Sequence, residues 1–226
     1  MKRLFIGIAL GLLIAAPVQA QSTVFEDAIT VGDAYYKLGI YRKAEKRYIE
    51  ALVEARNAGN QDQELLALRK LGDAYYMAGN FEDSEQIFRK ALEVCEQLSG
   101  AEALPVVDEL NNLVKSLRRQ NKWSDAGPHI RRVITLRTKL LANNDRLISN
   151  SWLDLAVNLQ REGRLDDSDM AFGKALVSRE NALGAEHRSL TIILDQYAEL
   201  LRQLNRTAEA DSLELRSKTI KDKLED

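Results

Sequence analysis

The chain repeats itself, and this periodicity is the feature that most restricts its fold. The segment Val31-Gly32-Asp33-Ala34-Tyr35-Tyr36 recurs forty residues later as Leu71-Gly72-Asp73-Ala74-Tyr75-Tyr76. Three weaker copies follow at intervals of forty-two residues and begin at Leu113, Leu155 and Tyr197. The spacing predicts five repeats, near residues 25–64, 65–106, 107–148, 149–190 and 191–224. Such copies are expected to form one stack in which each copy packs on the next.

Within each copy the apolar residues follow the spacing of two amphipathic helices. In the second copy these residues are Leu68, Leu71, Gly72 and Tyr75, followed by Ser84, Phe88, Ala91 and Leu92. Residues three and four apart lie on one helix face, so each copy has two apolar stripes. A glycine or asparagine separates the two helices of every copy: Gly39, Gly79, Asn121, Gly163 and Asn205. Because these residues adopt the left-handed conformation that commonly ends a helix, the sequence predicts an all-α chain of helix-turn-helix units.

Small and large residues alternate along the apolar stripes. Gly32, Gly72, Ala156 and Ala198 recur at one position of the first helix. We expect them to allow close helix approach, with large residues such as Tyr48 and Phe88 filling the remaining space. The last copy has Glu214, Ser217 and Lys218 where the fourth copy has Phe172, Ala175 and Leu176. The fifth copy is therefore predicted to be a polar cap that ends the stack.

This order of small and aromatic positions resembles the tetratricopeptide repeat (TPR), and the 42-residue spacing resembles its kinesin light chain-like subgroup. The segment Leu183-Gly184-Ala185-Glu186-His187 is similar to the linker of that subgroup, although Arg188 stands where a proline is expected. The segment Ala126-Gly127-Pro128 resembles its proline in the first turn of a second helix. The resemblance implies a right-handed superhelical solenoid of five TPR repeats, whose first helices line a concave groove.

Helical geometry then selects the groove residues. The core stripe of each first helix occupies repeat positions 4, 7, 8 and 11, and at about 100° per residue positions 2, 5, 9, 12 and 13 project to the other side. The residues predicted to line the groove are Ile29, Asp33, Tyr36, Leu66, Arg69, Asp73, Tyr76, Met77, Asn111, Lys115, Arg118, Arg119, Leu153, Val157 and Arg161. Repeats one and two supply an apolar and aromatic strip with two carboxylates, and repeats three and four supply a basic cluster.

The basic cluster suggests the chemistry of a partner. We expect four of the cationic side chains to contact an acidic partner segment across the groove: Arg69, Lys115, Arg119 and Arg161. The competing interpretation is that they belong to ordinary solvated helix faces. A clamp for a terminal carboxylate is not predicted, because Asp33 and Asp73 stand where that clamp would need asparagine.

Residues 1–20 differ from the rest of the chain. Lys2 and Arg3 precede an apolar run over residues 4–16, and Val18 and Ala20 fit a signal-peptidase site. The run is shorter than the roughly 20 residues that span a bilayer, so an uncleaved anchor is the weaker alternative. We expect cleavage after Ala20, a solenoid over residues 21–226, and a periplasmic or secreted protein without stable membrane insertion.

The sequence offers little catalytic or metal-binding chemistry. His129 and His187 have no ligands at metal-binding spacing and are interpreted as surface residues, and Cys95 lacks the signature of a reactive thiol. Phosphate-binding and nucleophile motifs are absent from the sequence. The net charge of −2 does not favour nucleic acid. We therefore expect no catalytic residues, no metal and no cofactor.

These observations favour a non-enzymatic interaction scaffold of the bacterial cell envelope that binds a protein or peptide partner in the groove of repeats one to four. The alternative is a chaperone-like or accessory assembly factor for secreted or outer-membrane clients. An enzyme or a binder of sugar chains ranks third, and the lack of a dense row of aromatic residues argues against the sugar. A weak homodimer through repeat one is a further expectation, since that end of the stack has no separate cap.

Overall fold

The computed structural model describes residues 18–141 and 146–223, with side chains described from Thr23 onward. Over these residues the chain forms ten α-helices. They are α1 (Val18–Lys37), α2 (Tyr41–Asn57), α3 (Gln61–Ala78), α4 (Phe81–Ser99), α5 (Pro105–Arg119), α6 (Trp123–Leu140), α7 (Arg146–Glu162), α8 (Leu165–Leu183), α9 (Leu190–Gln203) and α10 (Thr207–Asp222). Each helix packs against the next along the chain. The five hairpins form the predicted right-handed superhelical solenoid, so the all-α fold class is confirmed.

The predicted leader falls largely outside this structure. Its residues 1–17 lie outside the described part of the chain, and residues 18–20 form the start of α1. The first helices of repeats two to five begin at Gln61, Pro105, Arg146 and Leu190, one to four residues before the repeat starts read from the sequence. Within the described ranges, no helix has the length and apolarity needed to cross a membrane.

One left-handed residue ends the first helix of every hairpin. The φ angles at Gly39, Gly79, Asn121, Gly163 and Asn205 are +73°, +85°, +59°, +85° and +59°. In the second hairpin the amide of Gly79 donates to the carbonyl of Tyr76 and that of Asn80 donates to Tyr75, which satisfies carbonyls that the ending helix leaves free. The prediction that these five residues form the turns is confirmed.

Two glycines allow the first and second helices to touch. A β-carbon on Gly32 would lie 2.5 Å from the ring of Tyr48, and one on Gly72 would lie 2.6 Å from the ring of Phe88. Both rings are fully buried. The predicted close approach at these small residues is therefore confirmed, and a side chain at either glycine would have to displace an aromatic ring.

The proline of repeat three is not where the sequence places it. Helix α6 begins at Trp123, so Pro128 lies in its second turn rather than its first. Every second helix begins two residues after the left-handed residue of its hairpin, and in this repeat that residue is Asn121. The turn geometry, rather than the proline, therefore sets the helix start.

The predicted polar cap needs one correction. Glu214 and Lys218 are exposed on α10, but Ser217 is buried together with Ala210 and Ile220. Helix α10 still packs against α9, and a small hydroxyl fits this interface where alanine occupies the same position in repeat four. Ser217 thus belongs to the core rather than to the polar outer face.

A longer period of 84 residues relates repeats two and three to repeats four and five. The ion pairs Lys122–Glu85, Arg132–Glu96 and Lys139–Glu102 correspond to Arg206–Asp169, Arg216–Glu180 and Lys223–Glu186, with all six distances between 2.5 and 2.8 Å. The buried hydroxyls of Ser84 and Ser168 likewise donate to the carbonyls of Gly72 and Ala156. We call α3–α6 the first half and α7–α10 the second half, and the boundary between them the seam.

Candidate functional site

The predicted groove residues all lie at least partly at the surface. Six of them are exposed, namely Leu66, Met77, Asn111, Lys115, Arg119 and Arg161, and the other nine are half-buried. Three pockets follow one another along the first helices. The first groove pocket, between α1 and α3, has a volume of about 260 Å³, the middle groove pocket, between α3, α5 and α7, about 380 Å³, and the last groove pocket, between α7 and α9, about 260 Å³.

Ten of the fifteen predicted residues line these pockets. The first groove pocket has Asp33, Tyr36 and Asp73, the middle one has Tyr76, Asn111, Lys115, Arg118 and Arg119, and the last one has Val157 and Arg161. The other five, Ile29, Leu66, Arg69, Met77 and Leu153, lie outside the three pockets, and Ile29 and Leu153 pack against the core.

The sequence reasoning missed several lining residues. Lys70 and Asp154 occupy repeat position 6, which was not among the positions selected. At 100° per residue, position 6 lies only about 20° from position 13, so the same helical geometry would have found both residues. The last groove pocket also has Gln196, Glu199 and Gln203 of α9, so the groove continues into repeat five.

A hydrogen-bonded carboxylate closes the base of the first groove pocket. Asp33 accepts a hydrogen bond from the hydroxyl of Tyr48 at 2.7 Å and two from the ammonium of Lys70 at 2.9 and 2.8 Å. Burial by itself would raise the pKa of Asp33, but the bonds from Lys70 and Tyr48 outweigh it and hold the pKa below its ordinary value. Asp33 is thereby occupied within the protein and ties α1 to α2 and α3.

Two cations of the middle groove pocket rest on aromatic rings. The ammonium of Lys115 lies 3.9 Å from the ring centroid of Tyr76 and 3.9 Å from a carboxylate oxygen of Asp73. The guanidinium of Arg119 lies 4.4 Å from the ring of Phe81 and 5.6 Å from that of Tyr76. Cation–π contacts orient these side chains without neutralising their charge.

Two other cations of the predicted cluster are held by internal partners. Arg118 bonds the side-chain and main-chain oxygens of Asp154 at 3.2 and 2.7 Å, which links α5 to α7. Arg69 donates to Glu109 from Nε at 2.5 Å, and Glu109 is fully buried. Burial raises the pKa of Glu109, although Arg69 opposes the shift. Arg69 and Arg118 therefore serve the packing of the solenoid.

Arg119 and Arg161 differ from these residues, because neither has a carboxylate within ion-pair distance in the described ranges. Arg161 lies in the last groove pocket beside Val157 and near Glu199. Arg119 in the centre of the groove and Arg161 toward α9 therefore keep their charge available to a ligand, and Lys115 has only a long contact of 3.9 Å with Asp73.

Residues with catalytic potential are dispersed. His129 is half-buried rather than a surface residue, and burial lowers its pKa, with Arg89 and Arg132 nearby adding to the effect. His187 is exposed, as predicted, and Cys95 is buried beside Ser99. Across residues 18–141 and 146–223, no group of three His, Cys, Asp or Glu side chains is placed to hold a metal ion.

Comparison with known proteins agrees with this architecture. The family model described as tetratricopeptide repeat matches residues 26–97 and 147–223, which together exceed half of the chain. No curated protein matches the sequence of the chain. The chain belongs to the tetratricopeptide repeat family, as the sequence resemblance predicted. Proteins of this family are generally non-catalytic scaffolds that bind other proteins.

Solved structures of similar shape come from several sources. Kinesin light chain-type, nearly identical TPR-like repeats from Podosopora anserina match with a TM-score of 0.76 at 15% identity, covering 90% of this chain and 97% of that one. BtubC (BKLC) from P. vanneervenii matches with a TM-score of 0.73 at 19% identity, covering 92% and 90%. MamA from Desulfovibrio magneticus RS-1 matches with a TM-score of 0.64 at 13% identity, covering 88% and 96%. At these identities the likeness concerns the fold.

Proposed function

We propose that this protein is a non-enzymatic scaffold of the bacterial cell envelope that binds an acidic segment of one protein partner in its concave groove. The observation that carries the proposal is the middle groove pocket. There Lys115 and Arg119 present their charges over aromatic rings, beside the amide side chain of Asn111. A peptide carboxylate entering this pocket would meet two oriented cations.

The internal partners of these cations leave them able to bind. The contact between Lys115 and Asp73 is long at 3.9 Å, and both side chains are more than 40% exposed. Exposed ion pairs contribute only about 0–1 kcal/mol, so a partner carboxylate can replace Asp73 at small cost. Arg119 has the ring of Phe81 as its neighbour and loses no ion pair when it binds.

The cell-envelope part of the proposal rests on residues 1–20 of the sequence. Their basic start, short apolar run and Val18-Gln19-Ala20 end have the features of a cleaved export signal. Mass spectrometry of the N-terminus after cell fractionation tests this part. A periplasmic protein beginning at Gln21 is expected, whereas a cytosolic protein that retains Met1 would contradict it.

Affinity capture tests the groove. The protein is used as bait against a periplasmic extract, alongside the double variant Lys115→Glu, Arg119→Glu. The wild type is expected to retain one stoichiometric partner, and the double variant is expected to lose it while its helical circular dichroism is unchanged. The control is Lys90→Glu, Lys218→Glu, which makes the same charge change on exposed second-helix positions.

The pattern of captured proteins decides between the two candidate functions. Retention by the control and loss by the groove variant support the proposal. Retention of the partner by both variants contradicts the basic groove. Capture of many substoichiometric clients would instead support the chaperone-like alternative.

A further inference from the structure

A pocket separate from the three groove pockets lies on the side of α7 that faces away from the groove. It has a volume of about 500 Å³ and is lined by Arg131, Ile134, Thr135, Thr138, Lys139, Trp152 and Leu155. The groove residues Leu153, Val157 and Arg161 belong to the other face of α7. This seam pocket is formed by α6 and α7 at the boundary between the two halves, and it is independent of the proposed function.

Two of the three other junctions between second helices, α4–α6 and α8–α10, are closed by an ion pair. Arg132 of α6 reaches Glu96 of α4 at 2.6 Å, and Arg216 of α10 reaches Glu180 of α8 at 2.6 Å. The equivalent positions at the seam, forty-two residues from each of these pairs, are Lys174 of α8 and Thr138 of α6. The cation is therefore retained at the seam, but its carboxylate is replaced by a hydroxyl.

The unpaired cation, Lys174, contacts an aromatic ring. The ammonium of Lys174 lies 4.5 Å from the ring centroid of Trp152. The residues equivalent to Trp152 in repeats three and five are Leu110 and Leu194, and both are fully buried, whereas Trp152 is half-buried. Among the described residues, neither Lys174 nor Arg131 has a carboxylate within ion-pair distance. The seam thus combines an accessible indole with cations that lack counter-charges.

From this arrangement we infer that the seam pocket binds an acidic protein segment, which places one aliphatic side chain on Trp152 and a carboxylate beside Lys174. The carboxylate of the segment takes the place that Glu96 and Glu180 have at the α4–α6 and α8–α10 junctions. The apolar residues Ile134 and Leu155 receive the aliphatic group. The pocket is open to one side, which suits one side chain of a longer chain better than a small molecule that must be enclosed.

The fluorescence of Trp152 tests the inference. The chain contains two tryptophans, so Trp123→Phe leaves Trp152 as the only reporter. The probe is the capped heptapeptide acetyl-Gly-Glu-Glu-Leu-Glu-Glu-Gly-amide, titrated against this background. A saturable change in the emission of Trp152 is expected, and it should weaken as salt is added because screening reduces attraction between charges.

Two substitutions in that background decide the mechanism. Thr138→Glu supplies the missing carboxylate for Lys174, as at the α4–α6 and α8–α10 junctions, so it should fold normally and weaken peptide binding at least tenfold. Lys174→Glu should weaken binding to a similar extent. Lys90→Glu makes the same change at the equivalent position of α4 and should leave the affinity unchanged. Circular dichroism verifies that each variant is folded.

Three outcomes would overturn the inference. One is a Trp152 signal that does not saturate, and another is equal affinity for the Trp123→Phe protein and its Thr138→Glu variant. The third is a response to octanoate but not to the peptide, which would identify a free amphiphilic anion as the occupant. The groove variant Lys115→Glu, Arg119→Glu should retain the Trp152 response, so failure of the groove proposal would not affect this test.

Discussion

The two halves of the solenoid share a framework but differ in their groove. Ion pairs between second helices and buried serine hydroxyls recur after 84 residues. The groove positions do not recur in the same way: Lys115 and Arg119 of the first half correspond to Glu199 and Gln203 of the second. The ion pairs between second helices lie at interfaces where one hairpin packs on the next. The groove faces solvent, so its charge can differ between the halves without cost to the fold.

One framework contact does not recur after 84 residues. The pair of half-buried Arg69 and fully buried Glu109 in the first half corresponds to Leu153 and Ile193 in the second. The same interface is therefore held by an ion pair in the first half and by apolar packing in the second. Burying the charge of Glu109 costs desolvation energy that the attraction of Arg69 does not necessarily offset. Substitutions at this interface can thus test whether the fold requires the Arg69–Glu109 ion pair or only a well-packed interface.

The largest expected effect comes from removing one member of this pair. Arg69→Leu leaves Glu109 buried without a counter-charge and should lower the free energy of unfolding by about 3–5 kcal/mol at neutral pH. Arg69→Leu, Glu109→Ile copies the second half and should recover wild-type stability or exceed it. Urea denaturation measures both variants. A double variant as unstable as Arg69→Leu alone would show that the two halves do not pack equivalently.

The next effect concerns the glycine that contacts Phe88. Gly72→Ala places a β-carbon 2.6 Å from that ring and should destabilise the protein by about 1–3 kcal/mol, because the packed ring has to shift. In the second half Ala156 already occupies the equivalent position, and Ala156→Gly should cost about 0.5–1 kcal/mol through helix propensity alone. Thermal unfolding compares the two variants. An unchanged or higher Tm for Gly72→Ala would contradict the close contact.

The smallest expected effect is a pH dependence confined to the first half. Burial holds the pKa of Glu109 above that of the unfolded chain, so between these two pKa values the folded state holds more protons than the unfolded state. Stability therefore falls as the pH rises through this window. Asp33 of α1, which lies outside the first half, has the opposite sign, since its pKa is lowered and its contribution to stability is lost in acid. The measurement is therefore the difference in unfolding free energy between wild type and Glu109→Ile at pH 4 to 8. A difference that is flat over this range would contradict the raised pKa.

Much of the fold could be predicted because its determinants are local. A left-handed residue at Asn121 ends a helix through the conformational preference of its own backbone, and the glycine facing Tyr48 is recognisable from the repeat alone. The prediction that Pro128 lies in the first turn of α6 was wrong, because the turn at Asn121 and not the proline sets the start of the helix. Ser217 was misplaced because polarity alone does not decide burial where only a small side chain fits.

The candidate site was predicted only as a set of positions. Helical geometry places Lys115, Arg119 and Arg69 on one face, but it does not distinguish a cation that is available to a ligand from one that is already paired. That distinction depends on side chains forty residues away, such as Glu109 for Arg69. It is a property of neighbouring repeats in contact, and it requires the stacked structure.

The sequence by itself determined the repeat, the helical hairpins, their turns and the face that forms the groove, because each of these follows from spacing and backbone preference within one repeat. Only the tertiary structure decided which charges neutralise one another and where a junction stays open. The seam shows the reason. Thr138 and Lys174 are unremarkable in sequence, and only comparison with the ion pairs of the neighbouring junctions shows that a carboxylate is missing at Thr138. Contacts between repeats are long-range, and their energies depend on which side chains meet.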